Sequence, residues 1–281
     1  MKKLTAIDVC AGAGGWAVAA RGLPIEIVAA FDRADDCLAT YARNHPGVET
    51  VRCDVSTHDF RAWKGGVDLI LGGIPCEQIS DYRAIHKSSD AEIAGFAALI
   101  DKCLALPREL GARWWCYEDV ARIEKLLPPL TPHFMVDAQS HSAQRRMRAF
   151  IGNCPMPERG TCGDTLQRHL RRGPYRIGSR LVGRQPSRNN AFKPDTFYPW
   201  EPAAKSPCVI TLTSRRDSEA ATRHGEQHWR QLEWQELASL QGFPDDYLFV
   251  GSPSRVTKMI AQAVQIDTAR AILQALVALA F

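Results

Sequence analysis

Three groups of side chains in this 281-residue sequence combine types and spacings that can do chemistry. The first is Cys76, in the run Gly72-Gly73-Ile74-Pro75-Cys76-Glu77-Gln78-Ile79-Ser80, directly after the apolar stretch Val67-Asp68-Leu69-Ile70-Leu71. A buried strand that runs into Gly-Gly and Pro-Cys sets a thiol on a stiff turn at the strand's carboxyl end, where open α/β sheets keep their ligands. A thiolate there is a nucleophile, although a Pro-Cys taken alone is more often a buried cysteine that merely follows a strand. The second group is Glu118-Asp119, closing the aromatic-rich strand 113–120. The third is Gln144-Arg145-Arg146-Met147-Arg148, where Arg146 and Arg148 alternate with period two and face one side of a strand. Singly, such a glutamate is ordinarily a surface or capping carboxylate and such a basic pair is solvated surface.

Those side chains need a sheet to converge. Residues 4–9 read as a buried strand, Cys10-Ala11-Gly12-Ala13-Gly14-Gly15 as a glycine loop, and 16–21 as the start of a helix. Such a loop lets a ligand approach the main chain closely. Its spacing, Asp-x-x-Ala-Gly-x-Gly-Gly from Asp8, is not the dinucleotide pattern G-x-G-x-x-G. A second strand, 26–31, ends at Asp32-Arg33 before a helix over 36–44. A third, 49–53, ends at Asp54. Each acid either bonds ribose or base groups of a nucleotide or caps the turn that follows. A helix over 90–110 has apolar residues at helical spacing, and 133–139 and 146–152 read as a strand pair. Strands alternating with helices give an α/β fold with a mostly parallel sheet.

The formal charge of +4 says little, but residues 154–205 hold ten Lys/Arg against four Asp/Glu. This proline-bearing, apolar-poor stretch reads as a small, irregular, basic second domain, whose Arg168, Arg171, Arg172, Arg176, Arg180, Arg184 and Arg188 reach phosphates, or else as a flexible basic insert. Nine cysteines without a C-x-x-C argue against a disulfide framework or zinc ribbon and suit a reducing cytoplasm. His224 and His228 lack a third ligand nearby, so no metal is expected. The apolar start is broken at Asp8, leaving no signal-peptide core, and the apolar tail 272–281 is too short to span a membrane. Residues 230–242 read as a helix stopped by Gly242, with Pro244 beyond it. A last helix runs from Val256.

The Pro-Cys run resembles that of the cytosine-5 DNA methyltransferase family, usually Gly-Gly-x-Pro-Cys-Gln-x-Phe-Ser, with Glu77 and Ile79 as departures. The resemblance continues in family order. Asp8 to Gly15 is similar to the first motif, with Cys10 in a Phe position. Glu118-Asp119-Val120 is similar to Glu-Asn-Val, and Gln144 to Arg148 to Gln-x-Arg-x-Arg. Residues 230–247 are similar to Arg-x-Leu-Thr-x-x-Glu-x-x-x-Leu-Gln-Gly-Phe-Pro-Asp-x-Tyr. Gln262-Ala263-Val264 falls at Asn-Ala/Ser-Val, with Ala261 and Gln262 as departures.

What the resemblance implies is a Rossmann-like, S-adenosylmethionine-dependent methyltransferase domain over 1–153 and 256–281, with a small target-recognition domain over 154–255. Cys76, Glu118, Arg146 and Arg148 are the implied catalytic residues. Asp8, Cys10, Ala11, Gly12, Gly14, Gly15, Asp32, Arg33, Asp54, Val55, Gly73, Pro75, Gln262 and Ala263 are the implied holders of S-adenosylmethionine and of the product S-adenosylhomocysteine. The implied substrate is a cytosine flipped out of double-stranded DNA, and the implied setting a restriction-modification enzyme, monomeric, without metal or membrane, in the cytoplasm of a prokaryotic or phage-infected cell. The rivals are an RNA cytosine-5 methyltransferase, a catalytically silent relative that binds nucleic acid, and a pocket that takes a modified donor. Asp119 in an Asn position is expected to add negative charge near the thiol unless it is protonated.

Overall fold

The computed structural model describes residues 2–75, 90–160, 162, 164, 166–169, 171, 175–177, 201–202, 209–210, 220–223 and 230–281. In the first half of the chain, β1 (Leu4–Val9), β2 (Ile25–Asp32), β3 (Glu49–Arg52), β4 (Leu69–Gly73) and β5 (Trp114–Val120) alternate with α1 (Gly15–Ala20), α2 (Asp35–Asn44) and α3 (Asp90–Leu110). Then come β6 (His133–Asp137), the two-residue β7 (Gln144–Arg145) and β8 (Met147–Gly152). Seven strands form one sheet in the order β3-β2-β1-β4-β5-β8-β6, parallel except where β8 enters antiparallel between β5 and β6. Central strands such as Leu69-Ile70-Leu71 are apolar on both faces because both faces are covered.

The strand order reverses between β1 and β4, so the loops leaving these two strands part and open a crevice at their carboxyl ends. Gly72 is what lets them lie so close. A Cβ there would sit 2.4 Å from the Val9 carbonyl oxygen, and the Trp16 indole N–H donates to the Gly72 carbonyl at 3.0 Å.

Beyond residue 160, β9 (Tyr175–Ile177), β10 (Glu201–Pro202), β12 (Ala220–Arg223) and β13 (Arg230–Gln231) form a small sheet ordered β10-β9-β12-β13, while β11 (Val209–Ile210) pairs with β7. The chain then makes α4 (Trp234–Gln241), α5 (Pro253–Gln262) and α6 (Ile266–Ala280). A reciprocal capping box between Glu233 and Glu236 starts α4, and Gly242 in the left-handed region (φ +92°) ends it.

Leu232, Ala238, Leu240, Phe243 and Tyr247 are buried with Trp16, Ile260, Ile272 and Leu273 in the core on one face of the large sheet. By packing, then, the segment from 232 onward shares the core of the large sheet. The last helix is two helices, because Ala263 leaves helical geometry (ψ 150°). The stretch 253–280 is long and apolar enough to cross a membrane by length and composition, but it is broken at this point and half buried inside the fold, as core helices are.

Candidate active site

Glu118 lies directly opposite Gly73 across the β4–β5 ladder, and the Ile74 N–H donates to the Glu118 carbonyl at 3.0 Å. The chain that continues through Pro75 toward Cys76 therefore leaves the sheet beside this carboxylate. Cys76 itself lies outside the described residues, as do Arg172, Arg180, Arg184, Arg188, His224 and His228.

Glu118 is 5% exposed and faces two guanidinium groups. Arg148 Nε is 2.9 Å from Oε1 and Arg146 Nη2 is 3.9 Å from it. No hydrogen bond to Oε1 forms among the described residues, so the contact is one of charge. Together the three side chains line a small hollow with Val136, Phe150 and Thr268. The two arginines hold different posts there. Arg148 keeps part of its surface open and donates to the Met147 carbonyl at 2.8 Å. Arg146 is 2% exposed, and its Nη2 donates to the carbonyls of Ala261 (3.0 Å) and Ala263 (3.2 Å) at the end of α5. The Ala263 carbonyl also accepts from Gln241 Nε2, and Gln241 Oε1 accepts from Gln144 Nε2 at 2.8 Å. A buried polar chain thus ties the carboxylate to the segment that packs on Gly15, where an added Cβ would meet Val264 Cγ1 at 3.0 Å.

Asp119 points to the other face and is 1% exposed. Burial, and after it the charge of Glu118, pushes its pKa well up, against the pull of the Val120 N–H and Arg148. The neutral acid is favoured, so the expected extra negative charge beside the thiol is opposed by burial itself.

On the donor side, Cys10, Gly12 and Gly14 have φ of +51°, +53° and +87°, which curls the glycine turn. Its N–H groups are largely used internally: Ala11 donates to Phe31, Gly12 to Asp32 Oδ2 at 2.8 Å, and Gly14 to Ala11. The Asp32 carboxylate also accepts from the Ala34 N–H at 2.9 Å, so it pins the turn and the chain after β2 together. Asp54 is exposed, and hydrogen bonds from the Ser56 hydroxyl and N–H, with the nearby Arg33 charge as a lesser cause, hold its pKa below the usual carboxylate range. Val55 is buried beside it. Asp8 is fully buried, accepts from the Tyr41 hydroxyl at 3.3 Å and has its pKa raised chiefly by burial. Of the remaining expected residues, Gln262 is exposed, while Ala263, Gly73 and Pro75 are half-buried.

A bound nucleotide-like donor fits this frame. A Cβ on Gly12 would meet nothing within 4 Å, and one on Gly73 would meet only the Cys10 carbonyl at 3.9 Å, so among the described residues the space between the glycine turn and the end of β4 is open. No group of three or more His, Cys, Asp or Glu among the described residues is arranged to hold a metal ion.

Gln241 and Tyr247 stand within the 230–247 motif without a chemical pattern of their own. The only signal they carry in the sequence is that motif, since their contacts cross from the chain's end to its beginning.

Known proteins resemble this chain over nearly its full length. The model of the C-5 cytosine-specific DNA methylase family matches residues 4–99 and 159–278. The type II methyltransferase M.AplI of Arthrospira platensis is 25% identical over 309 residues, covering 96% of this chain and 84% of that protein. M.AgeI of Thalassovita gelatinovora is 35% identical over 83 residues, 27% of this chain and 19% of that protein. Among solved structures, the Dnmt2 methyltransferase of S. pombe superposes with a TM-score of 0.67 at 15% identity, covering all of both chains. A prophage-encoded protein of E. coli described as a DNA modification methyltransferase does so with a TM-score of 0.67 at 18% identity over 98% of each. These two share the fold.

Proposed function

Because this chain belongs to the C-5 cytosine-specific DNA methylase family, we propose that Cys76 and Glu118 act together on one cytosine of DNA, with S-adenosylmethionine held between the glycine turn and the end of β4. The chain is by family a DNA cytosine-5 methyltransferase. The observation that carries the residue assignment is the register of Gly73 with Glu118, which brings the start of the Pro-Cys turn beside a buried carboxylate.

Carbon 5 of cytosine is too weak a nucleophile to accept a methyl group unaided. The Cys76 thiolate adds at carbon 6, and the ring becomes an enamine whose nucleophilic end is carbon 5. Glu118 hydrogen-bonds the ring nitrogen and amino group, neutralising charge that builds there during attack. Arg148 holds the Glu118 carboxylate and faces the extruded nucleotide, while Arg146 positions the same carboxylate from inside the fold. When bound, S-adenosylmethionine supplies an electrophilic methyl group; Gly12, Gly14, Gly15, Asp32, Asp54 and the Ala263 segment are the residues that would hold it, with Cys10 and Arg33 toward the base. Loss of the carbon 5 proton then allows Cys76 to leave. A stacked base cannot reach such a site, so the cytosine is flipped out of the duplex, and the basic segment 154–205 grips the flanking phosphates.

The test is to trap the adduct. Duplex DNA containing 5-fluorocytosine, incubated with the enzyme and S-adenosylmethionine, gives a denaturant-resistant complex, because fluorine cannot leave as a proton does. Cys76→Ser abolishes it. A complex that persists in Cys76→Ser, or one formed only on RNA carrying the same base, refutes the assignment.

A further inference from the structure

Beneath the glycine turn stands a buried column of side chains that the chemistry above does not use. Tyr247 is 5% exposed, and its hydroxyl donates to the Ala13 carbonyl, 234 residues away. His45 Nε2 lies 3.1 Å from the same hydroxyl, and the His45 and Tyr41 rings are 4.9 Å apart. Tyr41 in turn donates to Asp8 at the foot of the column. Burial pulls the His45 pKa down to about 4, so the ring is neutral at working pH. With the tyrosine proton committed to Ala13, the imidazole nitrogen facing Tyr247 is the one that carries hydrogen.

A second, independent fit shows how closely the column is built to the turn. Gly14 sits at φ +87°, and a Cβ there would lie 2.8 Å from the Tyr247 hydroxyl, 3.1 Å from His45 Nε2 and 3.2 Å from Tyr41 Cδ2. The turn also holds Cys10, a residue with a Cβ, in the left-handed region, a conformation that persists only where surroundings over-determine it. The Tyr247 ring is itself fixed, packed 4.8 Å from Phe243 and 5.2 Å from Phe249.

We propose that Tyr247 is a positioning residue for the methyl donor: its hydroxyl fixes the Ala13 carbonyl and so holds the strained glycine turn in the one shape that accepts the ligand. This rests on reading the turn as the donor's cradle. Without the hydroxyl, the Ala13 carbonyl has no buried partner there and the turn spreads over other shapes. Apparent affinity then falls by the fraction that remains competent.

Titration calorimetry with S-adenosylhomocysteine, beside methyl-transfer kinetics at varied S-adenosylmethionine, tests this on the full chain. Tyr247→Phe keeps the ring and its packing. We expect it to weaken S-adenosylhomocysteine roughly two- to tenfold, the span of one net hydrogen bond, and to raise the KM for donor by the same factor, with kcat at saturating donor unchanged. Gly14→Ala alone weakens binding more, and adding Tyr247→Phe to it recovers part of the loss, because one of the clashing atoms is gone. A purely structural tyrosine would instead lower the active fraction, reducing kcat while Kd and KM stay put. That result, or strict additivity of the two substitutions, overturns the inference. If wild-type protein binds no S-adenosylhomocysteine, the donor reading falls and this inference with it. If wild type binds and Tyr247→Phe binds equally well, only the inference falls.

Discussion

Replacing Asp119 by asparagine exchanges one oxygen for one nitrogen at a site 1% exposed, where Oδ1 accepts from the Val120 N–H at 2.6 Å and Oδ2 has no hydrogen-bond partner among the described residues. Burial, reinforced by Glu118, raises the folded-state pKa above the ordinary 3.8. The folded protein therefore keeps a proton that the unfolded chain has released. Its stability falls as pH rises from about 4 through the folded pKa, at a limiting slope of about 1.4 kcal/mol per pH unit for one group. Asparagine does not titrate, so Asp119→Asn removes this slope. Wherever the pH lies between about 4 and the folded pKa, the variant should gain on wild type as pH rises, and its Tm should climb relative to wild type over that window. Asp8 has a raised pKa of the same sign but is common to both proteins and cancels in the difference. Urea unfolding followed by circular dichroism at pH 5, 6, 7 and 8 reads the effect directly. Parallel stability curves for the two proteins, or a variant that loses ground as pH rises, would mean that the folded state holds Asp119 charged and that the argument from burial is wrong. Methyl transfer offers a companion measurement: a neutral Asp119 can donate as an amide does, so Asp119→Asn should keep its activity at pH 7 and extend it on the alkaline side.

Glu118→Gln should lower single-turnover methyl transfer by about 10²- to 10⁴-fold while leaving DNA binding, measured by fluorescence anisotropy, within a fewfold of wild type. Arg146→Met should cost more thermal stability than Arg148→Met, because the first takes the buried guanidinium donor from the Ala261 carbonyl and leaves Ala263 only its bond from Gln241, whereas water can reach the second; the opposite ranking in calorimetry would remove Arg146 from its positioning role. Gly72→Ala should lower Tm by roughly 3–10 °C, since the added methyl meets the Val9 carbonyl at 2.4 Å and Val9 Cγ2 at 2.9 Å and must push β1 from β4.

What a sequence reveals about such a site depends on whether the physics is local. The strands β1 to β5 were legible because apolar runs such as Leu69-Ile70-Leu71 bounded by glycine leave few alternatives, and the C-terminal end of α4 was legible because only a residue at ease with positive φ stops a helix as Gly242 does. The adjacency of Glu118 to the Pro-Cys turn follows from strand order, which no local pattern encodes; only the ordered motifs pointed to it. Arg146 and Arg148 are indistinguishable as letters two apart on one strand face. They diverge because the end of α5 comes down over the first and leaves the second at the rim, a fact written in residues 261–263 rather than in 146 or 148. Asp8 stands out in the sequence only as the first letter of a glycine-loop motif, and its bond from Tyr41 on α2 is not visible there. The packing of α4 is hidden for a related reason: it follows a basic, apolar-poor stretch in sequence but buries Ala238 and Leu240 in the core on the large sheet. In each case the deciding partner lies tens to hundreds of residues away. The parts of this site least legible from sequence alone are thus side chains such as Tyr247, Gln241 and Arg146, whose polar partners lie far along the chain.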